Sequence, residues 1–301
     1  MKKPNNKKRI LVLGGTGFIG SRLVAKLQEE GMFVNLLVFD NPSESFSKKN
    51  TTIFKGDITD EKALEKAVKN SDIIINLVGS FNKDFYYSLN VAGSANLLSV
   101  CKEFSHIKKI IFISSEAVYG DYAGRPYKEK DIPKPTTEYG FSKYLAEQIC
   151  QFYSQKYNIP VIILRLANTY GPGQKVGVIS ECINSALQNR PFKIHKTGRQ
   201  RRDFLYVDDA VDGMVRSIDY PVKGFEVFNI SGDKTYSLLE MISITEKIIG
   251  KKIALTLVSP KKQDLVHMEE SNKKAKNILG YMPKTSLREG ITKTINYLKN
   301  K

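Results

Sequence analysis

The chain has 301 residues, of which 41% are apolar and 26% are charged, as expected for a globular protein with a sizeable core. Its 47 Lys and Arg against 31 Asp and Glu leave a net charge of +16. Because the lysines stand in scattered pairs and not in one stripe, we predict no nucleic-acid partner. No apolar run approaches the roughly 20 residues of a membrane span, so we predict no membrane partner.

The start of the chain is basic and then apolar, which imitates a signal peptide. It lacks a small-residue cleavage site and continues into a helical pattern, so we predict no export. Cys101, Cys150 and Cys182 are odd in number and widely spaced within helical patterns. They predict buried thiols in a reducing cytoplasm, with neither a disulfide framework nor a metal site.

Residues 10–20, ILVLGGTGFIG, combine a buried strand with a glycine-rich turn, and residues 21–30 follow as an amphipathic helix. Gly14, Gly17 and Gly20 have the spacing of a dinucleotide-binding loop, in which glycines permit a tight turn and a close approach of backbone to pyrophosphate. The helix N-terminus would offer free N–H groups to the phosphates. A glycine-rich turn without a ligand is the alternative. The flanking strand and helix favour nucleotide binding.

A second apolar strand, residues 33–39, ends at Asp40, which lies 20 residues beyond Gly20. A carboxylate at that distance accepts hydrogen bonds from the adenosine ribose and repels a 2′-phosphate. We therefore predict NAD as the cofactor in preference to NADP. The alternative is that Asp40 caps a turn before Pro42.

Strand and helix patterns alternate through the first half of the chain, with strands at residues 51–55, 73–78, 110–113 and 160–166 and helices at 61–69, 84–103 and 138–157. This alternation predicts an α/β fold with a Rossmann-type doubly wound parallel sheet, whose ligands lie beyond the carboxyl ends of the strands. Gly79 and Ser115 would fall on that edge beside Asp40. Asp57 would contact the adenine or merely hold a turn.

The segment 169–173, TYGPG, breaks the alternation and begins a smaller mixed α/β substrate domain. We predict a cofactor domain over residues 1–170, to which 204–230 return, and a mainly substrate-binding domain over 171–301.

Asp208 and Asp209 are predicted to cap the helix that they begin. Residues 116–137, rich in Gly, Pro and charge, are typical of a lid or substrate loop. Further helices are predicted near residues 179–188, 207–218, 238–249 and 287–298.

Tyr139 and Lys143 are four residues apart on one predicted helix face, and Ser115 ends the fifth strand. A hydride-transfer enzyme needs a base that takes a hydroxyl proton, and the usual tyrosine pKa near 10 is too high for that role at neutral pH. A nearby ammonium and a positive nicotinamide would lower the pKa of Tyr139. Ser115 would hold the reacting oxygen. The alternative is a surface tyrosine beside a solvated lysine.

Motifs over nearly the whole chain resemble the NAD-dependent nucleotide-sugar epimerase/dehydratase family of extended short-chain dehydrogenases/reductases. They are, in the family's order, GGTGFIG (14–20), GDITD (56–60), LNVAGSANLL (89–98), FISSEAVYG (112–120), EYGFSK (138–143), RLANTYGPGQ (165–174), RRDFLYVDD (201–209), FNIS (228–231) and ILGYMPKTSLREGI (278–291).

The resemblance implies that Tyr139 is the catalytic base, that Lys143 is its partner and a ribose ligand, and that Ser115 is the third catalytic group. It implies that Asn168 and Arg202 contact the nucleotide diphosphate; the alternative for Arg202 is an ion pair with Asp203 or Asp208. It also implies a homodimer through the helices at 84–103 and 138–157. We predict a cofactor pocket formed by Gly14, Gly17, Phe18, Ile19, Gly20, Asp40, Asp57, Ile58, Leu77, Val78, Gly79, Tyr139 and Lys143.

The chain departs from the family pattern at three places. The segment after Gly79 is shorter than usual. The acidic pair of the dehydratases is replaced by Glu116 and Ala117, which disfavours dehydration. The arginine of the C-terminal Arg-x-Gly-Asp is replaced by Lys261, a point charge without the guanidinium fork. We predict that Ser115, Glu116, Asn168, Arg202 and Lys261 contact the substrate.

These features predict a cytoplasmic NAD-dependent epimerase of a nucleoside-diphosphate sugar, and specifically a UDP-hexose 4-epimerase that acts through a transient 4-keto sugar. The alternative is an NAD(P)H-dependent reductase of a 4-keto-6-deoxy nucleotide sugar. A 4,6-dehydratase and a non-catalytic NAD(P)-binding protein are further possibilities.

Overall fold

The computed structural model describes residues 8–39, 46, 50–121, 124–195, 198–258 and 267–300. Within them the strands are Arg9–Leu13 (β1), Phe33–Val38 (β2), Thr51–Lys55 (β3), Ile73–Asn76 (β4), Lys109–Ser115 (β5), Val161–Leu166 (β6), Asn168–Tyr170 (β7), Phe192–His195 (β8), Arg201–Tyr206 (β9), Phe225–Ile230 (β10), Thr235–Ser237 (β11) and Leu255–Val258 (β12). The α-helices are Phe18–Glu29 (α1), Glu61–Lys69 (α2), Gly93–Cys101 (α3), Glu138–Tyr157 (α4), Val178–Leu187 (α5), Val207–Asp219 (α6), Leu238–Ile249 (α7), Lys273–Leu279 (α8) and Leu287–Lys299 (α9).

The largest sheet has seven strands in the order β10-β6-β5-β4-β1-β2-β3, and every neighbouring pair is parallel. The chain winds outward from β1 in one direction and then, from β4, in the other. This reversal is the switch point at which doubly wound sheets bind ligands. The predicted Rossmann-type fold is confirmed.

Apolar side chains from both faces of this sheet form two separate cores. On one face α1 and α6 pack through residues such as Leu23 and Met214. On the other, α2, α3 and α4 pack through residues such as Leu64, Leu97 and Ala146. Because both faces are covered, the central strands are apolar at successive positions without alternation.

The second half of the chain contributes to the large sheet and also forms two smaller ones. Strand β10 extends the large sheet beside β6, whereas β9 lies between β11 and β7 in a three-stranded sheet. Strands β8 and β12 pair separately, and a third core joins α5, α7 and α9 to β8 and β9. The division into cofactor and substrate domains at residue 170 stays a proposal.

The predicted long helix over residues 84–103 is instead three consecutive elements. A short 3-10 helix, Lys83–Phe85, leads into a π-helix, Tyr86–Ala92, and α3 continues from Gly93. Within the widened segment the buried Asn90 donates its amide N–H to Ser142 Oγ of α4 at 2.9 Å. A π-bulge changes the direction of the side chains along a helix, which the apolar spacing of this segment did not indicate.

Acidic side chains near two helix N-termini have different roles. Asp60 caps α2 by accepting a hydrogen bond from Ala63 N at 3.1 Å. The prediction for Asp208 and Asp209 is wrong, because Tyr206 is the N-cap of α6 and has no side-chain cap. The Asp209 carboxylate accepts the backbone N–H groups of residues 284 and 285, each at 3.0 Å, and so fixes the segment before α9.

Cys101, Cys150 and Cys182 are free and buried, as predicted. Burial raises the pKa of each thiol, which keeps it in its neutral, unreactive form. Across the described part of the chain, no helix combines the length and apolar character that a membrane crossing requires.

Candidate active site

A cleft of about 970 Å³ lies at the carboxyl edge of the large sheet. The switch point between β1 and β4 forms its base, and the ends of β5 and β6 continue its floor. Thirteen of the predicted contact residues line it: Gly14, Gly17, Phe18, Ile19, Gly20, Leu77, Gly79, Ser115, Glu116, Tyr139, Lys143, Asn168 and Arg202. The prediction from topology is therefore confirmed for the position of the cleft, whereas the contacts of each residue with ligands stay predictions.

The glycine loop brings the N-terminus of α1 to the cleft. Gly17 is the N-cap of α1 and has no side-chain cap, so the first N–H groups of the helix are available to an anion. Gly14 has φ +75°, a left-handed conformation that favours glycine. A Cβ added to Gly20 would lie 2.1 Å from Gly14 O, so only glycine lets the helix approach the loop this closely. This arrangement fits a dinucleotide pyrophosphate.

Ser115, Tyr139 and Lys143 meet where β5 ends against α4. Ser115 Oγ accepts the backbone N–H of Ala117 at 3.2 Å and is hydrogen-bonded to the Tyr139 hydroxyl. The Lys143 ammonium donates to Ile113 O at 3.0 Å. The spacing of four residues does place Tyr139 and Lys143 on one face of α4, as predicted.

Burial sets the protonation of both groups. It raises the pKa of Tyr139 to about 12, although the hydrogen bond from Ser115 opposes the change. It lowers the pKa of Lys143 to about 8, although Glu147 opposes that change. We predicted that a nearby ammonium and a bound, positively charged nicotinamide would together lower the pKa of Tyr139. The groups of this chain by themselves raise it, because the desolvation of a phenolate outweighs the hydrogen bond from Ser115. The effect of the nicotinamide stays a prediction.

Gly79 makes room for the lysine. A Cβ at this position would lie 3.1 Å from Lys143 Nζ and 3.0 Å from Asn90 Oδ1. Asn90 is fully buried, and its Oδ1 has no hydrogen-bond partner among the described residues. Gly79 therefore allows the close approach of the segment after β4 to α4, and Asn90 is a polar group of this site that the sequence reasoning missed.

Glu116, Asn168 and Arg202 form the end of the cleft beyond Ser115. The Asn168 amide donates to Glu116 Oε1, which helps to lower the pKa of the Glu116 carboxyl. Burial nevertheless raises that pKa well above its usual value, and the charge of Asp203 adds to the rise. Arg202 donates to the carbonyl oxygen of Arg201 at 2.9 Å. The Asp203 carboxylate, one of the two alternative partners of Arg202, accepts Gly232 N–H at 2.8 Å.

Five predicted contact residues are not among those that line this cleft. Asp57 accepts the backbone N–H and the hydroxyl of Thr59 at 2.8 and 2.7 Å, which holds the turn before α2. Ile58 is buried in the core, and Val78 donates its backbone N–H to Asn76 Oδ1 at 3.0 Å. The two others, Asp40 and Lys261, lie outside the described residues. All five stay predictions.

Aromatic rings cover one side of Tyr139, and the sequence reasoning missed them. The ring centroids of Phe81 and Tyr86 lie 5.4 and 5.6 Å from that of Tyr139. Both rings come from the segment between β4 and α3, in the stretch FNKDFYY over residues 81–87. Its run of aromatic residues was the available signal. Further missed lining residues are Ser80, Asn82, Lys83, Thr169, Gln174, Val176 and Met268.

Comparison with known proteins gives a match to one family over most of the chain. The model of the NAD-dependent epimerase/dehydratase family matches residues 10–231. The protein named "Uncharacterized UDP-glucose epimerase YtcB" of Bacillus subtilis is 31% identical, over 97% of this chain and 98% of that one. The "Putative UDP-glucose 4-epimerase" of Methanocaldococcus jannaschii is 33% identical, over 97% of this chain and 98% of that one.

The crystal structure of UDP-glucuronic acid 4-epimerase from Bacillus cereus, in complex with UDP-glucuronic acid and NAD, has the same fold. Its TM-score to this chain is 0.90 at 30% identity, with 97% of this chain and 99% of that one covered. The family match includes the glycine loop, Ser115, Tyr139 and Lys143. The chain therefore belongs to the NAD-dependent epimerase/dehydratase family, as an enzyme of the extended short-chain dehydrogenase/reductase type with NAD as its cofactor.

Proposed function

We propose that the protein is an NAD-dependent 4-epimerase of a UDP-hexose. The observation that carries the proposal is the meeting of Ser115, Tyr139 and Lys143 in the same cleft as an uncapped helix N-terminus and Arg202. The names of the relatives, which are UDP-glucose and UDP-glucuronic acid 4-epimerases, support the same reaction. The chemistry needs a base for a hydroxyl proton, a cofactor site and a diphosphate site in a single cleft.

In this proposal Tyr139 takes the proton from the sugar 4-hydroxyl, and Ser115 orients that hydroxyl through a hydrogen bond. Lys143 stabilises the tyrosinate by its charge and binds the nicotinamide ribose. The glycine loop and the N-terminus of α1 bind the pyrophosphate of the cofactor. NAD, when bound, accepts a hydride from C4 and returns it to the opposite face of the same carbon. The 4-keto sugar turns over in the cleft between these two events.

At the other end of the substrate, Asn168 and Arg202 bind the diphosphate. A guanidinium offers paired N–H donors that match two phosphate oxygens. Lys261, outside the described residues, would add a charge without this geometry.

The residue at position 117 makes a 4,6-dehydratase reaction unfavourable. A dehydratase of this family uses an acidic pair after the catalytic Ser or Thr, and here Glu116 is followed by Ala117. A methyl group can neither donate nor accept the second proton. The reductase alternative uses the same three catalytic groups, and the consumption of cofactor distinguishes it.

The purified protein provides the first experiment. We expect it to retain NAD and to convert UDP-galactose into UDP-glucose without added cofactor. A requirement for NADH in amounts equal to the product would overturn the epimerase in favour of the reductase.

The variant Tyr139→Phe tests the role of the hydroxyl. We expect turnover to fall by roughly 10²–10⁴-fold, which is the usual contribution of a positioned acid–base group. The binding of UDP-glucose should persist, because the ring and its packing against Phe81 and Tyr86 remain. The control is Tyr157→Phe, which removes a hydroxyl from a 38% exposed tyrosine of the same helix. Full turnover by the Tyr139 variant would contradict the mechanism.

A homodimer through α3 and α4 and a cytoplasmic location stay predictions. Phe141, Phe152 and Tyr157 are exposed apolar residues on α4. Their exposure supports a partner surface on that helix.

A further inference from the structure

The segment after Gly79, which is shorter than in the family pattern, places two aromatic rings against Tyr139. The Phe81 ring lies 5.4 Å from the Tyr139 ring and is inclined to it by 34°, and the Tyr86 ring meets it edge-on at 5.6 Å. Both separations are within the range at which aromatic pairs attract each other. The ring of the proposed base is therefore held by contacts that come from outside its own helix.

Phe81 is held in this position although it is 72% exposed. The Tyr86 hydroxyl donates to the Phe81 carbonyl oxygen at 3.1 Å. The next residue, Asn82, donates its backbone N–H to Ser80 Oγ at 3.0 Å, and its Oδ1 accepts Asp84 N–H at 3.2 Å. These local bonds fix the backbone on both sides of Phe81, so its ring does not need burial to stay in place.

The exposure of Phe81 indicates that its ring does not serve the core. A ring that stays open to solvent gains little free energy from burial. Phe81 and Tyr86 both line the cleft, beside the residue whose hydroxyl meets the substrate in the proposed reaction. Phe85, in the same segment, is 49% exposed and is not among the residues that line the cleft, which makes it a matched comparison.

A hydroxyl that accepts a proton must keep its position from one turnover to the next. The Tyr139 hydroxyl is hydrogen-bonded to Ser115, and a displacement of about 1 Å can lower a rate about a hundredfold. Rotation of the Tyr139 ring about its side-chain bonds would break that geometry. The two rings packed on it restrict this rotation, and they also displace water from its surface.

We propose that Phe81 and Tyr86 are positioning residues for Tyr139, which hold its ring in line with Ser115 and keep water from it during the reaction. Neither residue transfers a proton or binds the sugar in this proposal. The inference rests on the proposed function and adds to it two residues that lie outside the motifs shared with the family.

The protonation of Tyr139 provides a readout of this role. Burial makes the largest contribution to its raised pKa of about 12, and the Tyr86 hydroxyl adds to the rise. Ser115, at the end of β5, acts in the opposite direction. The charge of Glu138 raises the pKa of Tyr86, and Lys143 follows on the same face of α4. Removal of a covering ring admits water to the phenol, which favours the phenolate and lowers the pKa.

The test compares kcat, KM for UDP-glucose and the pH dependence of kcat in the wild type and in Phe81→Ala. We expect kcat to fall about tenfold and KM to change by less than about twofold, because the diphosphate site is intact. The acid limb of the kcat profile, which reports the base, should move to lower pH by about half a unit. Phe81→Tyr keeps the ring and should restore most of the lost kcat.

Two more variants complete the comparison. Tyr86→Phe removes the donor to the Phe81 carbonyl oxygen and keeps the ring against Tyr139. We expect its kcat to lie between those of the wild type and Phe81→Ala, with the acid limb moved in the same direction. The control is Phe85→Ala, which removes an exposed ring of the same segment and should leave kcat and its pH dependence unchanged.

Three results would overturn the positioning role. The first is a wild-type kcat and pH profile in folded Phe81→Ala or in Tyr86→Phe. The second is a rise in KM with kcat unchanged, which would make Phe81 a substrate contact. The third is a loss of kcat at every pH without movement of the acid limb, which a general loss of structure would produce.

The failure of the proposed function has a different signature. If the wild-type protein epimerises no UDP-hexose, that function fails, and NMR of isotope-labelled tyrosine tests the positioning role without turnover. The Tyr139 signals are identified by their loss in Tyr139→Phe. Faster flipping of this ring in Phe81→Ala than in the wild type would support the positioning role, and equal rates would overturn it.

Discussion

The ammonium of Lys143 is buried, donates to Ile113 O at 3.0 Å and lies 5.1 Å from the centre of the Phe112 ring. Burial lowers its pKa from the usual 10.5 to about 8. Between these two pH values the unfolded chain binds a proton that the folded chain does not. The free energy of unfolding therefore rises with pH through this window, and the full destabilisation is present below pH 8.

Replacing this lysine should stabilise the protein while abolishing its activity. The pKa difference corresponds to a destabilisation of the folded protein of about 3 kcal/mol, which the variant removes. The variant also loses the hydrogen bond to Ile113 O, which costs about 1 kcal/mol of stability. We expect Lys143→Met to raise the free energy of unfolding at pH 7 by about 2 kcal/mol, with a smaller gain at pH 10. Turnover should fall by about 10²-fold or more.

Urea unfolding at both pH values measures this effect. The exposed Lys66→Met of α2 is the control, and its change should stay within about 0.5 kcal/mol. A Lys143→Met protein that is less stable than the wild type at pH 7 would show that the buried charge is compensated by its surroundings.

At the scale of elements, α4 is joined to two neighbouring strands by one buried carboxylate. Glu147, one turn after Lys143, accepts Ser114 Oγ–H at 2.5 Å and two guanidinium N–H groups of Arg165 at 3.0 and 2.6 Å. Ser114 precedes Ser115 on β5, and Arg165 lies on β6. The helix that carries Tyr139 and Lys143 is thereby fixed to the strand that carries Ser115.

The contact of α1 with the glycine loop gives a prediction for Gly20. An added Cβ would lie 2.1 Å from Gly14 O and 2.8 Å from Gly15 Cα, and backbone atoms cannot yield as a flexible side chain can. We expect Gly20→Ala to reduce stability by about 1–3 kcal/mol. Affinity for NAD, measured by titration calorimetry, should fall by about tenfold or more, because the N-terminus of α1 moves away from the pyrophosphate.

Gly250→Ala is the control for this steric effect. Gly250 has φ +82° and no atom near its added Cβ. Its substitution should cost about 1 kcal/mol through backbone strain and leave NAD affinity unchanged. Wild-type stability and affinity in Gly20→Ala would contradict the close packing of α1 on the loop.

Across the whole molecule, Asp203 links the small sheet to the large one. It lies on β9 and accepts the backbone N–H of Gly232, two residues after β10. Burial raises the pKa of its carboxyl to about 7, although that hydrogen bond opposes the change. Between about pH 4 and pH 7 the folded chain binds a proton that the unfolded chain does not. Stability therefore falls as pH rises through this window.

The variant Asp203→Asn should weaken this pH dependence. The amide oxygen can still accept Gly232 N–H, whereas the charge and its desolvation cost, about 4 kcal/mol across the window, are lost. We expect a higher melting temperature than wild type at pH 8 and a smaller difference at pH 5. The control is Asp208→Asn, the same change at an exposed acid. An unchanged pH dependence in Asp203→Asn would show that other groups carry it.

Sequence patterns predicted features whose cause lies within one stretch of chain. The apolar run before Gly14 predicted a central strand, and the spacing of Tyr139 and Lys143 predicted one helix face. Both predictions are confirmed, because the direction in which side chains point along a strand or a helix repeats within a few residues and is therefore visible in the sequence. The π-helix over residues 86–92 and the partners of Asp209 were missed, since both depend on contacts with α4 and with the segment before α9.

The sequence by itself determined the parallel sheet and the glycine loop, because apolar periodicity and glycine spacing are local signals. Its resemblance to the family, carried by motifs in the family's order, indicated the family. Only the tertiary structure decided which charges meet. Glu116, Asp203 and Glu270 are far apart in the chain, and folding buries them close enough for their charges to interact. Burial also raises the pKa of Tyr139 and lowers that of Lys143, because the loss of water around a charge depends on what packs against it and not on its neighbours in sequence.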